Sequence, residues 1–255
     1  MPKSSSFGVC HVSVAPVRAA ASDTSEMVTQ LLFGDYVRIN EPGKPWIKII
    51  VERDGYEGWM DVKQLTPISE AEFKRNANAE HTLVHNRLLN LRGANGEQTI
   101  MIGSALPNYE DHRCSFGDLE FEIHDILHHQ RHGMTETAEV YLNTPYLWGG
   151  KSFLGLDCSG FVQNVARLHG YNIPRDTSKQ IAMGVEVSFA ERRAGDIAFF
   201  VNDKGKVHHV GILMNPDSII HASGFVRLDT FDEKGIFRKD VGEYTHSFHS
   251  IRRLK

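Results

Sequence analysis

The chain has 255 residues, 41% hydrophobic and 24% charged, with a formal net charge of -4, which is ordinary globular composition with room for one to three domains. The acidic balance, with no Lys/Arg run beyond the basic tail Arg252, Arg253 and Lys255, argues against a nucleic-acid partner. No apolar stretch approaches the ~18 residues of a spanning helix, and three widely spaced cysteines, Cys10, Cys114 and Cys158, suit reduced thiols better than a disulfide framework.

The N-terminal stretch MPKSSSFGVCHVSVAPVRAAAS lacks the continuous apolar region of a secretory signal, so the expected location is cytoplasmic, with no membrane partner. From Val9 to Pro67 short β-type runs alternate with turn pairs at Gly34-Asp35, Pro42-Gly43 and Asp54-Gly55, a pattern that predicts a small antiparallel barrel. The order of LFGDYV, WIKI and GYEGWM resembles bacterial SH3 domains, modules often attached to cell-wall hydrolases. Ser69 and Glu72 are spaced as a capping box and predict a short connecting helix to Arg75. Between His81 and Ile123 weaker β-type runs return, and we read them as a second, divergent SH3-like barrel. The expected division is therefore 1–67, first barrel; 68–123, connector and second barrel; 124–255, a last domain.

From His124 the composition reads as helical. His124, His128 and His132 recur every four residues, but with no carboxylate or cysteine at ligand spacing they predict a solvated face, and no metal or cofactor is expected. Thr135 to Leu142 reads as the first helix of the last domain. It leads into YLWGGKSFLGLDCSGFVQNVARLHG, the stretch around which the chain is organised. Apolar residues at Phe161, Val162, Val165 and Leu168 have helical spacing, Asp157 can cap that helix, and Gly170 followed by Pro174 ends it. Cys158 thus falls at a helix N-terminus, where the dipole favours a thiolate. Two readings stand: a buried small hydrophobe, or a nucleophile. Asp157, Ser159 and Gly160 suit a cleft better than a core.

After the central helix, Arg175 and Asp176 read as a surface pair. Strands are predicted in IAFF after Gly195-Asp196, in KVHHVGILM and in SIIHAS, the last two joined by Asn215-Pro216-Asp217. Pairing symmetric about Asn215 sets His209 opposite His221 on one face, where one imidazole can orient the other as a base beside a thiol. His208 reads as an exposed bystander. A Cys-His-His zinc site is the competing reading, and it lacks a fourth ligand.

YLWGGKSFLGLDCSGFVQ, HVGI and IIHASG resemble the NlpC-type family of papain-like cysteine peptidases of bacterial cell-wall peptides. The resemblance covers Thr135 to the C-terminus. It implies an α+β fold, a papain-like domain with helices on an antiparallel sheet behind one or two small all-β SH3-like barrels. It implies Cys158 as nucleophile, His209 as general base and then acid, and His221 as the residue orienting His209. The arrangement is most similar to the cytoplasmic murein-recycling branch, which cuts γ-D-glutamyl-diaminopimelate (or L-Lys) bonds in tripeptides or tetrapeptides with a free N-terminal L-Ala. In that branch a barrel walls off one side of the cleft. By the same resemblance Tyr146 lines the oxyanion site, Trp148, Asp157, Ser159, Asp176 and Thr177 bind substrate, Glu26 and Tyr56 of the first barrel join them, and the protein acts as a monomer. The residues alone leave open a general wall endopeptidase, a thiol acyltransferase or amidase, and a non-enzymatic murein-binding scaffold.

Overall fold

The computed structural model describes residues 6–255; Met1–Ser5, where part of the N-terminal reading falls, lie outside them. The chain divides into two compact units, Met1–His129 with Gly149–Phe153, and Gln130–Trp148 with Leu154–Lys255.

The first unit opens with β1 (Phe7–Cys10), β2 (Val14–Arg18), β3 (Met27–Leu32), β4 (Tyr36–Glu41), β5 (Trp46–Val51), β6 (Glu57–Asp61) and β7 (Leu65–Ile68), in the order β3-β2-β6-β5-β4-β1-β7. Strict alternation drives the pattern: in β5, Ile47, Ile49 and Val51 point inward while Trp46, Lys48 and Ile50 are half-buried. Ser69 then caps α1 (Glu70–Asn76) by accepting from the Glu72 amide at 3.1 Å. Glu72 does not complete the capping box among the described bonds; its Oε1 accepts from the Gly117 amide at 2.8 Å.

A second group follows: β8 (Thr82–Leu83), β9 (Leu88–Gly93), β10 (Gly96–Met101), β11 (Ala105–Leu106), β12 (Arg113–Phe116) and β13 (Leu119–Ile123), paired as β10-β9-β13-β12 and β11-β8. The two groups share one core, in which Val9, Phe33, Tyr36 and Phe73 pack with Leu89, Ile100, Phe116 and Phe121. Phe33 meets Phe116 and Phe121 edge-on at 5.4 and 5.0 Å. The segment with β14 (Lys151–Ser152) also belongs to this unit, and the amides of Lys151 and Ser152 donate to Gln30 Oε1 at 2.8 and 3.1 Å.

Residues 124–132 form no helix, contrary to the reading of the His124, His128, His132 spacing. That period had no apolar stripe behind it, and helices in proteins owe most of their stability to such a stripe. Asn86 instead fixes the extended backbone, donating to the Ile126 carbonyl and accepting from the His128 amide, both at 2.9 Å.

The second unit carries α2 (Met134–Glu139), β15 (Gly155–Leu156), α3 (Cys158–Leu168) and α4 (Thr177–Gln180). They precede β16 (Val185–Val187), β17 (Ile197–Val201), β18 (Val207–Asn215), β19 (Ser218–Ser223), β20 (Phe225–Asp232), β21 (Gly235–Arg238) and β22 (Glu243–Arg253). The sheet is antiparallel in the order β16-β22-β17-β18-β19-β20-β21. Because the first half of β22 pairs with β21 and the second half with β17, the sheet closes on itself. Ala198, Phe200, Leu213, Ile219, Phe231 and Ile251 form one core cluster of this unit. α3, buried along its whole length, packs on β18 and β19. It ends where Gly170, at φ +81, lets the chain turn so that the Gly170 and Tyr171 amides donate to Arg167 and Ala166, each at 3.0 Å.

Candidate active site

Cys158 is the first residue of α3. Asp157 is its N-cap, with Oδ1 accepting from the Gly160 amide at 2.7 Å. The same carboxylate binds the buried Arg175, whose Nη1 reaches Oδ1 at 2.9 Å and Nη2 reaches Oδ2 at 2.6 Å. Ser159 Oγ donates to Asp157 at 3.1 Å and accepts from Arg175 Nη1 at 2.7 Å. Arg175 is therefore not the surface partner of Asp176. A buried guanidinium requires a carboxylate, and the cap offers both oxygens in the fork geometry that Arg favours. Asp176 is half-buried and pairs with Lys179 at 3.5 Å, while Thr177 Oγ1 lies 4.0 Å from Cys158 Sγ.

The helix terminus does not lower the thiol pKa. Burial, then the Asp157 charge, push the Cys158 thiol up to about 11, against the opposing effects of Thr177, the Val210 backbone amide and Arg175. That amide belongs to the residue after His209 in β18, so sulfur and β18 meet beside the candidate base. Burial, then the nearby Cys158 and Asp157 charges, also raise Tyr146 to about 12, which keeps its hydroxyl protonated as a donor. Trp148 is 64% exposed.

The two histidines meet, but not through the predicted register. His221 lies directly opposite Gly211, with a bulge between Leu213 and Asn215, so His209 sits two residues further along β18. Two residues preserve the face. The rings bridge the diagonal at 85° to one another, with His209 Nε2 2.8 Å from His221 Nδ1. This contact leaves His209 Nδ1 as the nitrogen available to a thiol. Burial, followed by the neighbouring imidazoles, depresses His209 well below the usual histidine range. Burial also lowers His221 despite the opposing bond to Asp229. Each of these shifts disfavours the charged form, so ionising the thiol calls for a proton acceptor beside it.

Four features escaped the sequence reading. Asp229 Oδ2 lies 3.0 Å from His221 Nε2; Arg227 clasps that carboxylate; His246 of β22 stacks on His209 at 4.0 Å and 28°; and Gly211 separates the two imidazoles along the strand pair. Arg227 and Asp229, alternate residues in the strand after His221, were the only available signal. His208 is exposed, as expected, and stacks on His246 at 5.9 Å. His209, His221 and His246 offer nitrogens within 4.8 Å of one another. The His209 and His246 rings lie in nearly parallel planes, and His209 Nε2 and His221 Nδ1 stand at hydrogen-bonding distance, 2.8 Å. Glu26 is exposed before β3 and Tyr56 is half-buried against the first barrel's core; both belong to the first unit.

Residues 143–243 match the sequence profile described as the NlpC/P60 family, and residues 17–65 that of the bacterial dipeptidyl-peptidase Sh3 domain. A gamma-D-glutamyl-L-lysine dipeptidyl-peptidase of Bacillus cereus (strain ATCC 10987 / NRS 248) is 30% identical over 233 residues, 79% of this chain and 68% of that protein. The protein of the same name from Bacillus subtilis (strain 168) is 31% identical over 217 residues, 76% of this chain and 71% of that one. A crystal structure of an NlpC/P60 family protein from Bacillus cereus ATCC 10987 superposes with a TM-score of 0.79 at 24% identity, covering 98% of this chain and 99% of the other, and so shares the fold. With SH3-like β structure ahead of a thiol-bearing helix on an antiparallel sheet, and relatives of this identity and coverage, the chain belongs to the NlpC/P60 family of cysteine peptidases.

Proposed function

We propose that this chain hydrolyses the γ-D-glutamyl bond to a diamino acid, L-Lys or diaminopimelate, in short murein peptides with a free N-terminal L-Ala. Its place is the cytoplasmic recycling of cell-wall peptides. The two relatives named gamma-D-glutamyl-L-lysine dipeptidyl-peptidases support that bond as the target. The observation that carries the reading is the 2.8 Å contact between His209 and His221, in the same unit as a helix-terminal Cys158 whose sulfur neighbours Val210.

In this reading His209 Nδ1 takes the thiol proton as Cys158 Sγ attacks the γ-glutamyl carbonyl. His209 then delivers that proton to the leaving amine, and afterwards activates the water that releases the thioester. The Gly160 amide is occupied by Asp157, so the oxyanion falls to the Cys158 amide and the Tyr146 hydroxyl. Loss of such a donor costs ~10²–10³ in rate. Asp157 is already committed to Arg175, which leaves Asp176 as the carboxylate for the substrate ammonium.

The test is incubation of the full chain with L-Ala-γ-D-Glu-L-Lys and its diaminopimelate counterpart, each beside the N-acetylated form, with products followed by mass spectrometry. We expect cleavage of the free-amine peptides only, and a loss of at least about 10⁴-fold in Cys158→Ala with the fold retained. Equal cleavage of acetylated peptides would remove the Asp176 assignment and favour a general wall endopeptidase. Full activity of Cys158→Ala would refute the mechanism.

A further inference from the structure

The polar chain does not stop at His221. His221 on β19 lies directly across from Arg227 on β20, with Asp229 two residues along the same strand. Asp229 Oδ2 accepts from Arg227 Nε at 2.6 Å and from His221 Nε2 at 3.0 Å, and Oδ1 accepts from Arg227 Nη2 at 2.9 Å. Arg227 is held in turn by Asp240, through Nη2 at 2.9 Å and Nη1 at 3.3 Å. Asp240 also takes Arg238 Nη2 at 2.6 Å. His221 is fully buried.

A carboxylate clasped by a guanidinium on both oxygens stays ionised and can only accept. The proton on a neutral His221 must then sit on Nε2, which makes Nδ1 an acceptor. The 2.8 Å contact at Nδ1 is satisfied only if His209 carries its proton on Nε2. That choice strips the proton from His209 Nδ1, the nitrogen a thiol would use. One carboxylate, two imidazoles removed from the sulfur, selects the tautomer of both rings.

We infer that Asp229, locked by Arg227, is a positioning residue that fixes His221 and thereby His209 in their Nε2–H tautomers, so that His209 Nδ1 is always the free base. The inference rests on the catalytic reading above for its kinetic consequence, but the tautomers themselves are independent of any substrate.

The experiment compares wild type, Asp229→Ala and Asp229→Asn as full-length proteins. Ring tautomers are read from long-range ¹H–¹⁵N spectra of ¹⁵N-histidine protein, and kcat and KM from hydrolysis of L-Ala-γ-D-Glu-L-Lys. Wild type should show Nε2–H for both His209 and His221. Asp229→Ala should lose the single-tautomer pattern at His221 and drop kcat roughly 10²–10⁴-fold, the scale of a wrong tautomer in a related catalytic arrangement, with KM held within about 3-fold. Asp229→Asn keeps the shape but exchanges one acceptor for an NH2 donor, which must face either Arg227 Nη2 or His221 Nε2 with Arg227 Nε, so the His221 tautomer and kcat should move together, both kept or both lost. An Nδ1–H tautomer at His209 in wild type would overturn the inference. So would an Asp229→Ala protein with wild-type kcat, or equal kinetic losses in both variants with both ring spectra unchanged. If wild type fails to cleave the peptide, the substrate reading falls, and the ring spectra still decide the role of Asp229.

Discussion

Gly211 is where the imidazole pair depends on the absence of a side chain. It faces His221 directly across the β18–β19 ladder, and His209 reaches over it along a diagonal that long or aromatic side chains can span. A Cβ at position 211 would lie 2.9 Å from His221 Cβ, 2.8 Å from Ile219 Cδ1 and 2.9 Å from the Ile220 carbonyl oxygen. The Ile219 methyl could shift, but His221 Cβ is fixed to its backbone and the Ile220 carbonyl belongs to the ladder. Gly211→Ala should therefore destabilise by about 1–3 kcal/mol, the range for overpacking, and lower kcat by parting the rings; urea unfolding and peptide hydrolysis measure the two effects. Unchanged stability and kcat would show that the ladder yields at no cost. The same residue explains what was legible here. The face shared by His209 and His221 could be read from strand alternation, because moving the centre of the bend by one residue shifts the register by two and keeps parity. The bulge between Leu213 and Asn215 could not be read, nor could the glycine's role beneath the diagonal.

At the scale of the element, α3 shows which signals are local and which are not. The cap at Asp157, the apolar period and the stop at Gly170 are contiguous in the chain and were readable from it. The ion pair was not, because Arg175 stands next to Asp176 in sequence while its partner lies 18 positions back. Burial is the main reason the Cys158 thiol is raised, and the carboxylate that caps the helix adds to it by repelling a thiolate beside it. Arg175 is only 3% exposed, so removing its partner strands a buried charge. Asp157→Ala should cost about 3–5 kcal/mol from that charge, with roughly 1 kcal/mol more for the lost cap. The double variant with Arg175→Met should recover much of the first amount, as measured by denaturant unfolding. If the double variant is no more stable than Asp157→Ala, the buried charge is not what the cap supports. The histidines from His124 to His132 mark the opposite failure, a helical spacing without an apolar face to dock, settled by Asn86 from far earlier in the chain.

Across the whole molecule, the closed sheet gathers His209, His221 and His246 from β18, β19 and β22 into one group, the first two buried and His246 half-buried. Burial lowers all three, His246 to about 4 with its histidine neighbours adding to the effect. In the unfolded chain each titrates near ~6.5. Between that value and the lower folded one the unfolded state binds more protons, so stability rises with pH through the window and is lost as pH falls. The stabilising contribution is fully present above about 6.5, and each histidine removes up to about 1.4 kcal/mol per pH unit on the way down. Asp229 extends the trend: burial alone would raise it, but its bonds to His221 and Arg227 hold it below the usual carboxylate range, and that contribution is lost only below about 3.8. Thermal unfolding, read with hydrogen exchange of the β18 and β19 amides, should be flat from pH 8 to 7 and weaken steadily from pH 6.5 to 4. His246→Phe keeps a ring over His209 but cannot take a proton, so it should flatten part of that slope. Protection that holds constant down to pH 4.5 would mean that the three imidazoles accept protons in the folded state as readily as in the unfolded one, and that the closed sheet does not enforce their neutrality.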